Sequence, residues 1–286
     1  MTSWHIGDVR VSKLVELENV GPIHPFLLLD ATPASCKNIQ WLRPYLLNDQ
    51  GEISVAVQAF IVETPSNLII VDTCLGNDKK RTQQDWHMMS GAFLKDLRQE
   101  GFDCEAFNYV ICTHMHVDHV GWNTVWDGAQ WKPTFPNARY LFSEPEFRYW
   151  SDNREQQQFG DYFGDSVQPI LNGRLIDLVE TNHRICNEVW LESTPGHSPG
   201  HVSVRISSRG KQALITGDFI HHPCQIARPS WCSIADYDQQ LAEETRRRML
   251  AQLAEGRALM IGSHFMDPTA GYVVPDGNAW RMDVDV

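Results

Sequence analysis

Four side chains that commonly bind metal ions occupy six consecutive positions in the first half of the chain. The stretch ICTHMHVDHVGWN, residues 111–123, carries His114, His116, Asp118 and His119. Three imidazoles and a carboxylate are costly to hold together on one short loop unless a cation binds them. The apolar run FNYVIC leads into this stretch and predicts a buried strand that delivers the motif at its end. The motif therefore predicts a metal site at a strand end.

Three more candidate ligands follow strand-like runs later in the chain. His197 comes after WLESTPG, Asp218 ends ALITGD, and His264 comes after ALMIGS. Ligands at strand ends along one sheet edge can converge, while the sheets hold them rigidly. The set contains imidazoles and carboxylates without a thiolate, which suits zinc, iron, manganese or cobalt, with zinc the default for hydrolysis. Seven ligands exceed the four of one tetrahedral ion and fit two divalent ions that share one carboxylate.

Apolar patterning predicts strands in both halves of the chain. The runs are DVRVSKLVEL, ISVAVQAFIVET, NLIIVDT, ARYLFS, RLIDLVE, EVWLEST, HVSVRIS, QALITGD and RALMIGSHF. Helices are predicted after Ser90 and from Ile234 to Glu255, where Ser233 and Asp236 form a candidate capping pair. Two strand-rich halves with helices outside them predict an α/β fold of four layers, an αββα sandwich.

No internal repeat, low-complexity segment or Gly/Ser linker divides the chain. We therefore predict a single domain over residues 1–286, with a core at about 54–266 and a strand-rich lead at 1–53. The segment 144–173 has no clear strand and is rich in Gln, Asp, Gly and aromatic residues. It is predicted to be an irregular helical insertion near the mouth of the site.

The charge balance and the cysteine pattern limit the partners and the compartment. Lys+Arg 24 against Asp+Glu 36 gives a net charge of −12, which disfavours nucleic acids and anionic membranes as partners. The apolar runs are too short to span a membrane. The seven cysteines are scattered and never spaced as CxxC, which favours reduced thiols. No secretory signal is visible at the N-terminus, so we expect a cytoplasmic protein.

Five short motifs, in this order, resemble those of the metallo-β-lactamase superfamily of metal-dependent hydrolases. They are IIVDTCLG, THMHVDH, TPGHSPGH, ITGD and IGSH, and the resemblance covers roughly residues 54–266. It implies the αββα sandwich already expected from the strand pattern. The ligands that it implies are His114, His116 and His197 for one metal, Asp118, His119 and His264 for the second, and Asp218 as the bridge.

The resemblance also implies roles for two residues beside the ligands. Asp72, in IIVDTCLG, would orient the ligand loop, although capping the turn after its strand is an equal alternative. His201, the second histidine of GHSPGH, is expected to support the His197 loop rather than bind metal.

Within the superfamily, the chain most resembles the branch of acyl-homoserine lactonases and methyl-parathion-hydrolase-like enzymes. The shared features are the strand-rich lead, an intact bridging aspartate, VGWN after the ligand motif and PTFPNARYLFSEPEFRYW. The resemblance implies that a hydroxide bridging two divalent ions, zinc by default, opens a lactone or cleaves an ester of a small apolar substrate. Lactonases of this branch carry a tyrosine three positions after the bridging aspartate, where this chain has His221.

The candidate catalytic residues are therefore Asp118, at the metals, and His221. A histidine at position 221 can donate a proton or a hydrogen bond to the leaving oxygen. His222 is the alternative acid, and together with Trp122 it is a candidate for lining an apolar substrate pocket.

Other activities remain open at this point. The main alternative is an organophosphate triesterase or aryl esterase of the methyl-parathion-hydrolase type. A glyoxalase II-like thioesterase is weaker, because the C-terminal segment PTAGYVVPDGNAWRMDVDV offers one arginine for glutathione. The complete second ligand set argues against an iron-dependent persulfide dioxygenase, and the intact seven residues argue against a non-catalytic binding protein. The sequence is compatible with a homodimer.

Overall fold

The computed structural model describes residues 2–284, which form two compact units that alternate along the sequence. The first unit comprises residues 2–16 and Val57–Thr181. The second comprises Leu17–Ala56 and the described residues from Asn182 onward. The predicted ligands divide between the units, because the HxHxDH motif lies in the first and the three later ligands lie in the second. The single-domain organisation remains a prediction.

The first unit is built on a seven-stranded mixed sheet, of which residues 17–20 and 55–56 belong to the second unit. Its strands are β1 (Ser3–Ile6), β2 (Val9–Val20), β3 (Val55–Glu63), β4 (Leu68–Val71), β5 (Tyr109–Ile111), β8 (Arg139–Ser143) and β9 (Ile176–Val179). Their order in the sheet is β1-β2-β3-β4-β5-β8-β9, and β4, β5, β8 and β9 run parallel. The short apolar runs of these strands are typical of a parallel sheet. A ribbon of β6 (Thr124–Trp126) and β7 (Trp131–Pro133) lies directly after the ligand motif in sequence.

The second unit is built on a six-stranded sheet. Its strands are β10 (Val189–Ser193), β11 (Val202–Ser208), β12 (Lys211–Ile215), β13 (Leu259–Ile261), β14 (Ala270–Asp276) and β15 (Ala279–Asp283), in that order. All neighbours are antiparallel except β12 and β13, which run parallel. His197 follows β10, Asp218 follows β12, and His264 follows β13. Each later ligand thus follows a strand, as the sequence predicted.

Eight α-helices lie among the described residues. They are α1 (Pro33–Lys37), α2 (Phe93–Gln99), α3 (Val117–Val120), α4 (Glu144–Asp152), α5 (Tyr162–Ser166), α6 (Gln168–Asn172), α7 (Cys224–Ala227) and α8 (Gln239–Gly256). The helix predicted after Ser90 is α2. Helices α4, α5 and α6 fill the segment 144–173, which is helical and contains no strand. No helix in residues 2–284 is long and apolar enough to cross a membrane.

The start of the longest helix differs from the prediction. Helix α8 begins at Gln239, and the carboxylate of Asp238 caps it by accepting a hydrogen bond from the backbone N–H of Leu241 at 3.0 Å. Ile234 and Tyr237, which fall within the predicted helix, precede the observed one and are 55% and 61% exposed. The buried face consists of Ala242, Thr245, Arg246, Met249, Leu250 and Leu253. The predicted start at Ile234, with Ser233 and Asp236 as its capping pair, is therefore wrong.

Several strands were missed by the sequence patterning. The last predicted strand was RALMIGSHF, yet β14 and β15 follow it as a hairpin that turns at Gly277, whose φ is +60°. β1 and the ribbon of β6 and β7 were also missed. Strands occupy the N-terminal lead only up to Val20, and the rest of the lead packs into the second unit. There Leu42 and Ile53 share a buried apolar core with Met249 of α8 and Met260 of β13.

Candidate metal-binding site

The loop after β5 brings the predicted ligands of the first unit together. β5 ends at Ile111, and His116 immediately precedes helix α3. The ring centroid of His114 lies 4.0 Å from that of His119 and 4.6 Å from that of His116. One carboxylate oxygen of Asp118 lies 3.8 Å from Nε2 of His119. The turn from strand to helix therefore gathers all four side chains of the HxHxDH motif.

Asp72 holds this loop from the end of β4. Its carboxylate accepts hydrogen bonds from the backbone N–H and the hydroxyl of Thr113, at 2.8 and 3.0 Å. It also accepts a hydrogen bond from Nδ1–H of His119 at 2.9 Å. Because Nδ1 carries the proton, the Nε2 lone pair of His119 is left for a metal ion. Asp72 is therefore placed to fix both the position of the loop and the tautomer of one ligand.

Two residues of helix α4 support the same loop. One carboxylate oxygen of Glu146 accepts hydrogen bonds from the backbone N–H of Met115 at 2.9 Å and from the indole of Trp150 at 2.8 Å. The Trp150 ring meets the ring of His116 edge-on, with centroids 5.5 Å apart. The predicted insertion therefore contacts the ligand motif within the first unit. Sequence analysis missed Glu146, because a single glutamate in a helix carries no recognisable pattern.

A half-buried glutamate on β2 binds the loop after β4 and the tryptophan that follows the ligand motif. Glu16 accepts hydrogen bonds from the backbone N–H groups of Leu75 and Gly76, at 2.7 and 3.1 Å, and from the indole of Trp122 at 2.5 Å. Burial raises the pKa of Glu16 to about 7. Trp122 is only 3% exposed and stacks on Phe93 with centroids 5.5 Å apart. These contacts give Trp122 a packing role, and its role in a substrate pocket remains a prediction.

In the second unit, three imidazoles surround the carboxylate of Asp218. Nε2 of His264 lies 3.1 Å from Oδ1. Nε2 of His197 and Nε2 of His221 lie 3.4 and 3.3 Å from Oδ2. The donor atoms of His197, Asp218 and His221 all lie within 4.8 Å of one another, and all three residues are buried. The structure therefore gathers His197, Asp218 and His264, and adds His221 to their cluster.

In two of these rings, those of His264 and His197, the hydrogen-bond partner of Nδ1 determines which ring nitrogen carries the proton. Nδ1 of His264 lies 2.7 Å from the carbonyl oxygen of Ala56, which can only accept a hydrogen bond. Nδ1 of His197 donates to the carboxylate of Asp236 at 2.8 Å. When the rings are neutral, the Nε2 lone pairs of His197 and His264 therefore face Asp218. A lone pair and a carboxylate repel each other unless a cation lies between them. A divalent ion satisfies both groups, so these donors fit a metal ion.

Two further histidines, His201 and His222, occupy distinct environments. Nε2 of His201 accepts a hydrogen bond from the backbone N–H of Asp218 at 2.7 Å, so its lone pair supports that residue. His222 is buried apart from the cluster and accepts from the backbone N–H of Cys224 at 3.1 Å. Burial lowers the pKa of His222 to about 3, and burial also lowers the pKa of His221. Both rings are therefore neutral at neutral pH.

Asp236 is bonded to a predicted ligand and was not predicted from the sequence as a site residue. It was interpreted as part of a helix cap, but its Oδ1 orients His197 and its Oδ2 accepts from the backbone N–H of Ser233 at 2.9 Å. Burial opposes its ionisation, but the hydrogen bond from His197 and the charge of Arg246 hold the pKa of Asp236 below its ordinary value. The spacing between Asp236 and His197 follows no short motif, so only the tertiary structure reveals the pair.

Comparison with known proteins relates this geometry to a family. Residues 54–264 match the family described as Metallo-beta-lactamase superfamily. An N-acyl homoserine lactonase from a Bacillus species is 23% identical over 238 residues, which cover 77% of this chain and 86% of the relative.

Two solved structures show the same fold. The dizinc quorum-quenching lactonase AidC, solved with a product, has a TM-score of 0.78 at 21% identity, covering 100% of this chain and 97% of its own. The hydrolase AbOPH of the beta lactamase superfamily has a TM-score of 0.77 at 23% identity, covering 98% of this chain and 96% of its own. The predicted α/β metallo-β-lactamase fold class is confirmed.

Proposed function

Because this chain belongs to the metallo-β-lactamase superfamily, we propose that it is a dinuclear hydrolase that opens lactones, with acyl-homoserine lactones as the first candidate substrates. Its relatives and structural neighbours include metal-dependent hydrolases, so the chain is an enzyme of the metal-dependent hydrolase class. Lactone opening is the finer part of the proposal, and the names of the relatives support it.

Two divalent ions, zinc by preference, are assigned to the seven ligands. The assignment is His114, His116 and His197 for one ion, Asp118, His119 and His264 for the other, and Asp218 as the bridge. The dizinc site named for one structural neighbour supports two ions. The observation that carries the proposal lies in the second unit, where anchored imidazoles turn their Nε2 lone pairs toward the carboxylate of Asp218.

Side chains of the protein orient the metal-binding atoms and donate a hydrogen bond to the leaving oxygen. Ions bound at these residues supply Lewis acidity and an activated water. Asp72 and Asp236 hold His119 and His197 with their Nδ1 protons directed away from the metal. Asp118 is assigned as a ligand of the ion that His119 and His264 also bind.

His221 is the proposed donor to the leaving oxygen. Its Nε2 lies 3.3 Å from Asp218, and its buried Nδ1 has no hydrogen-bond partner among residues 2–284. Because burial keeps the ring neutral, the proton at Nε2 serves as a hydrogen-bond donor rather than as the charge of an imidazolium. His222, which is buried apart from the cluster, is the alternative donor.

The main alternative substrate class is a phosphotriester or an aryl ester. His221 favours this alternative, because the lactonases that this chain resembles carry a tyrosine at the corresponding position. The glyoxalase II-like thioesterase and the persulfide dioxygenase are lesser alternatives. A substrate panel separates these classes directly.

Purified protein loaded with Zn²⁺ is assayed against acyl-homoserine lactones, aryl esters, a phosphotriester and a glutathione thioester, with and without a chelator. We expect about two equivalents of metal and chelator-sensitive opening of the lactones. Hydrolysis of the phosphotriester alone would select the alternative class. Metal-loaded protein that cleaves none of these compounds contradicts the proposal.

The His221 role is tested with His221→Phe and, as the matched variant, His222→Phe. Removing one hydrogen-bond donor to a developing oxyanion costs about 10²–10³-fold in kcat, so His221→Phe should lower kcat by that order while two metals stay bound. His222→Phe should leave kcat near that of the wild type. The reverse pattern would assign the donor to His222.

The remaining predictions concern the pocket, the partner and the compartment. Trp122 and His222 stay predicted pocket residues, and the small apolar substrate follows from the lactone proposal. The homodimer and the cytoplasmic location also stay predictions.

A further inference from the structure

A fully buried arginine joins three segments of the second unit. Arg246 lies on the inner face of helix α8 and is 0% exposed. Its Nε donates to the carbonyl of Phe219 at 2.8 Å, and its Nη1 donates to the carbonyl of Pro229 at 2.6 Å. Its Nη2 lies 3.6 Å from Oδ2 of Asp236. A buried guanidinium is costly unless it is paired and hydrogen-bonded, so these contacts explain how this position tolerates the charge.

Both ends of this network reach proposed metal ligands. Asp236, the counter-charge of Arg246, accepts a hydrogen bond from Nδ1–H of His197 at 2.8 Å. Phe219, whose carbonyl Arg246 holds, directly follows Asp218 in the chain. One guanidinium therefore fixes the carboxylate that orients one ligand and the backbone next to the bridging ligand.

The neighbouring arginines of the same helix show how different this environment is. Arg247 is exposed and makes a surface pair with Glu243 at 2.7 Å. Arg248 donates to the carbonyl of Ser193 at 2.9 Å in an exposed contact. Such surface contacts contribute little to stability. The sequence RRR thus contains one buried arginine beside a matched surface control.

We propose that Arg246 is a positioning residue for the metal ligands, acting on His197 through Asp236 and on Asp218 through the carbonyl of Phe219. This inference rests on the proposed function, because it takes these ligands to bind divalent ions. Arg246 does not touch the metal or the substrate. Its charge pairs with Oδ2 of Asp236 at 3.6 Å, and that carboxylate keeps the His197 lone pair directed toward Asp218. Loss of outer partners of this kind typically weakens metal binding by about 10–100-fold.

The test measures Zn²⁺ affinity of the full chain by competition with a chromophoric chelator, and it does not depend on hydrolysis. The variants are Asp236→Asn, Arg246→Met and Arg246→Lys. We expect Asp236→Asn to weaken binding of one equivalent by about 10–100-fold. Arg246→Met should weaken binding of both equivalents, because Asp218 is assigned to both ions, with partial recovery in Arg246→Lys, which keeps the charge. The visible spectrum of the Co²⁺-loaded variants should shift with the ligand geometry.

Two controls separate positioning from general damage. Arg247→Met removes a surface pair on the same helix and should leave the Zn²⁺ affinity unchanged. Arg205→Met removes a half-buried pair with Glu192, at 2.6 Å, on strands β11 and β10. It should lower the melting temperature without changing the affinity, because it holds no ligand.

The outcomes distinguish this inference from the proposed function. If folded Asp236→Asn binds both equivalents as tightly as the wild type, the positioning role is wrong while the metal site stands. If the wild type binds no divalent ion, the proposed function fails and the positioning role fails with it. If Arg246→Met does not fold, Asp236→Asn and Arg246→Lys decide, because Asn keeps the shape of Asp236 and Lys keeps the charge of Arg246. An equal loss of affinity in Arg205→Met also overturns the positioning role.

Discussion

Asp72 and Asp236 perform the same task on different histidines. Each carboxylate accepts a hydrogen bond from an Nδ1–H group, that of His119 at 2.9 Å and that of His197 at 2.8 Å. They differ in what surrounds the carboxylate. Asp72 is held by the backbone and hydroxyl of Thr113, whereas Asp236 is paired with a buried guanidinium. The motif containing Asp72 is short and recognisable, and the partners of Asp236 are scattered. This difference explains why only Asp72 was predicted from the sequence.

Asp72→Asn should weaken metal binding by about 10–100-fold. An amide accepts hydrogen bonds only at its oxygen. If its NH₂ group lay toward His119, it would face the Nδ1–H of that ring, and if it lay toward Thr113, the hydrogen bond from the backbone N–H of Thr113 would be lost. Turning the proton of His119 to Nε2 would remove the lone pair that binds metal. Chelator competition measures the loss. Asn tolerates the φ of +57° at this position.

A matched control is Asp78→Asn, at an exposed aspartate whose φ is +63° in the following loop. Its metal affinity should equal that of the wild type. Equal losses in the two variants would assign the effect to the backbone conformation rather than to His119.

Lys79 gives a second test at the residue scale, through the pH dependence of stability. Its ammonium is buried beside Asp165 at 3.5 Å and over the ring of Trp131 at 3.7 Å. Burial outweighs these contacts and lowers the pKa of Lys79 from 10.5 to about 7. The unfolded chain therefore binds one more proton between pH 7 and pH 10.5, and the stability contributed by Lys79 rises with pH across that window and is lost as pH falls through 7.

Lys79→Met should remove this slope, which approaches about 1.4 kcal/mol per pH unit. Urea unfolding of both proteins between pH 7 and pH 10 measures the difference in the free energy of unfolding. Parallel profiles for the two proteins would show that the buried amine keeps its ordinary pKa.

At the scale of elements, the sequence predicted where strands deliver ligands better than where helix α8 begins. HxHxDH, TPGH, TGD and GSH each follow an apolar run, because a buried strand needs continuous apolar residues. The start of α8 was misplaced because two competing caps, Asp236 and Asp238, lie two residues apart. Tertiary contacts decide between them, since Asp236 bonds to His197 and leaves Asp238 to cap the helix.

The contact between the His197 loop and helix α8 requires a glycine. Gly196 has a φ of +129°, and its carbonyl accepts a hydrogen bond from the N–H of Asp238 at 2.9 Å. A Cβ at this position would lie 2.4 Å from the backbone nitrogen of Ala242. Gly196→Ala should therefore lower the free energy of unfolding by about 2–4 kcal/mol, from strain and overpacking together. It should also weaken metal binding by displacing His197.

Gly210→Ala is the control for backbone strain alone. Gly210 has a φ of +76°, but a Cβ there would meet nothing within 4 Å. Its cost should be about 1–2 kcal/mol, without a change in metal affinity. If Gly196→Ala lowered the free energy of unfolding no more than Gly210→Ala does, the loop would be able to move away from the helix at little cost.

At the scale of the whole molecule, metal should stabilise the fold. An ion that binds only the folded state adds about 4.1 kcal/mol when its free concentration is 1,000 times Kd. For a chain of this size, removing it should lower the melting temperature by on the order of 10 °C. Scanning calorimetry with and without a chelator measures the shift, and added Zn²⁺ should reverse it. The same chelator saturated with Zn²⁺ beforehand should leave the transition in place.

The interleaving of the two units along the chain was not predictable from sequence patterning. Periodicity reports which face of an element is buried, and it carries no information on which distant element covers that face. The lead was expected to precede the core as a strand-rich segment. Instead Leu17–Ala56 belongs to the second unit, together with residues beyond Asn182.

The interleaving of the two units along the sequence affects the nascent chain during its synthesis on the ribosome. Leu42 and Ile53 emerge early, yet their packing partners Met249 and Met260 are translated near the end. The whole of Val57–Thr181 must be synthesised in between, which takes on the order of ten seconds at about 5–20 residues per second. Throughout that interval the nascent chain exposes apolar surface with nothing to cover it. We therefore expect the emerging polypeptide to be a client of holding chaperones until translation ends.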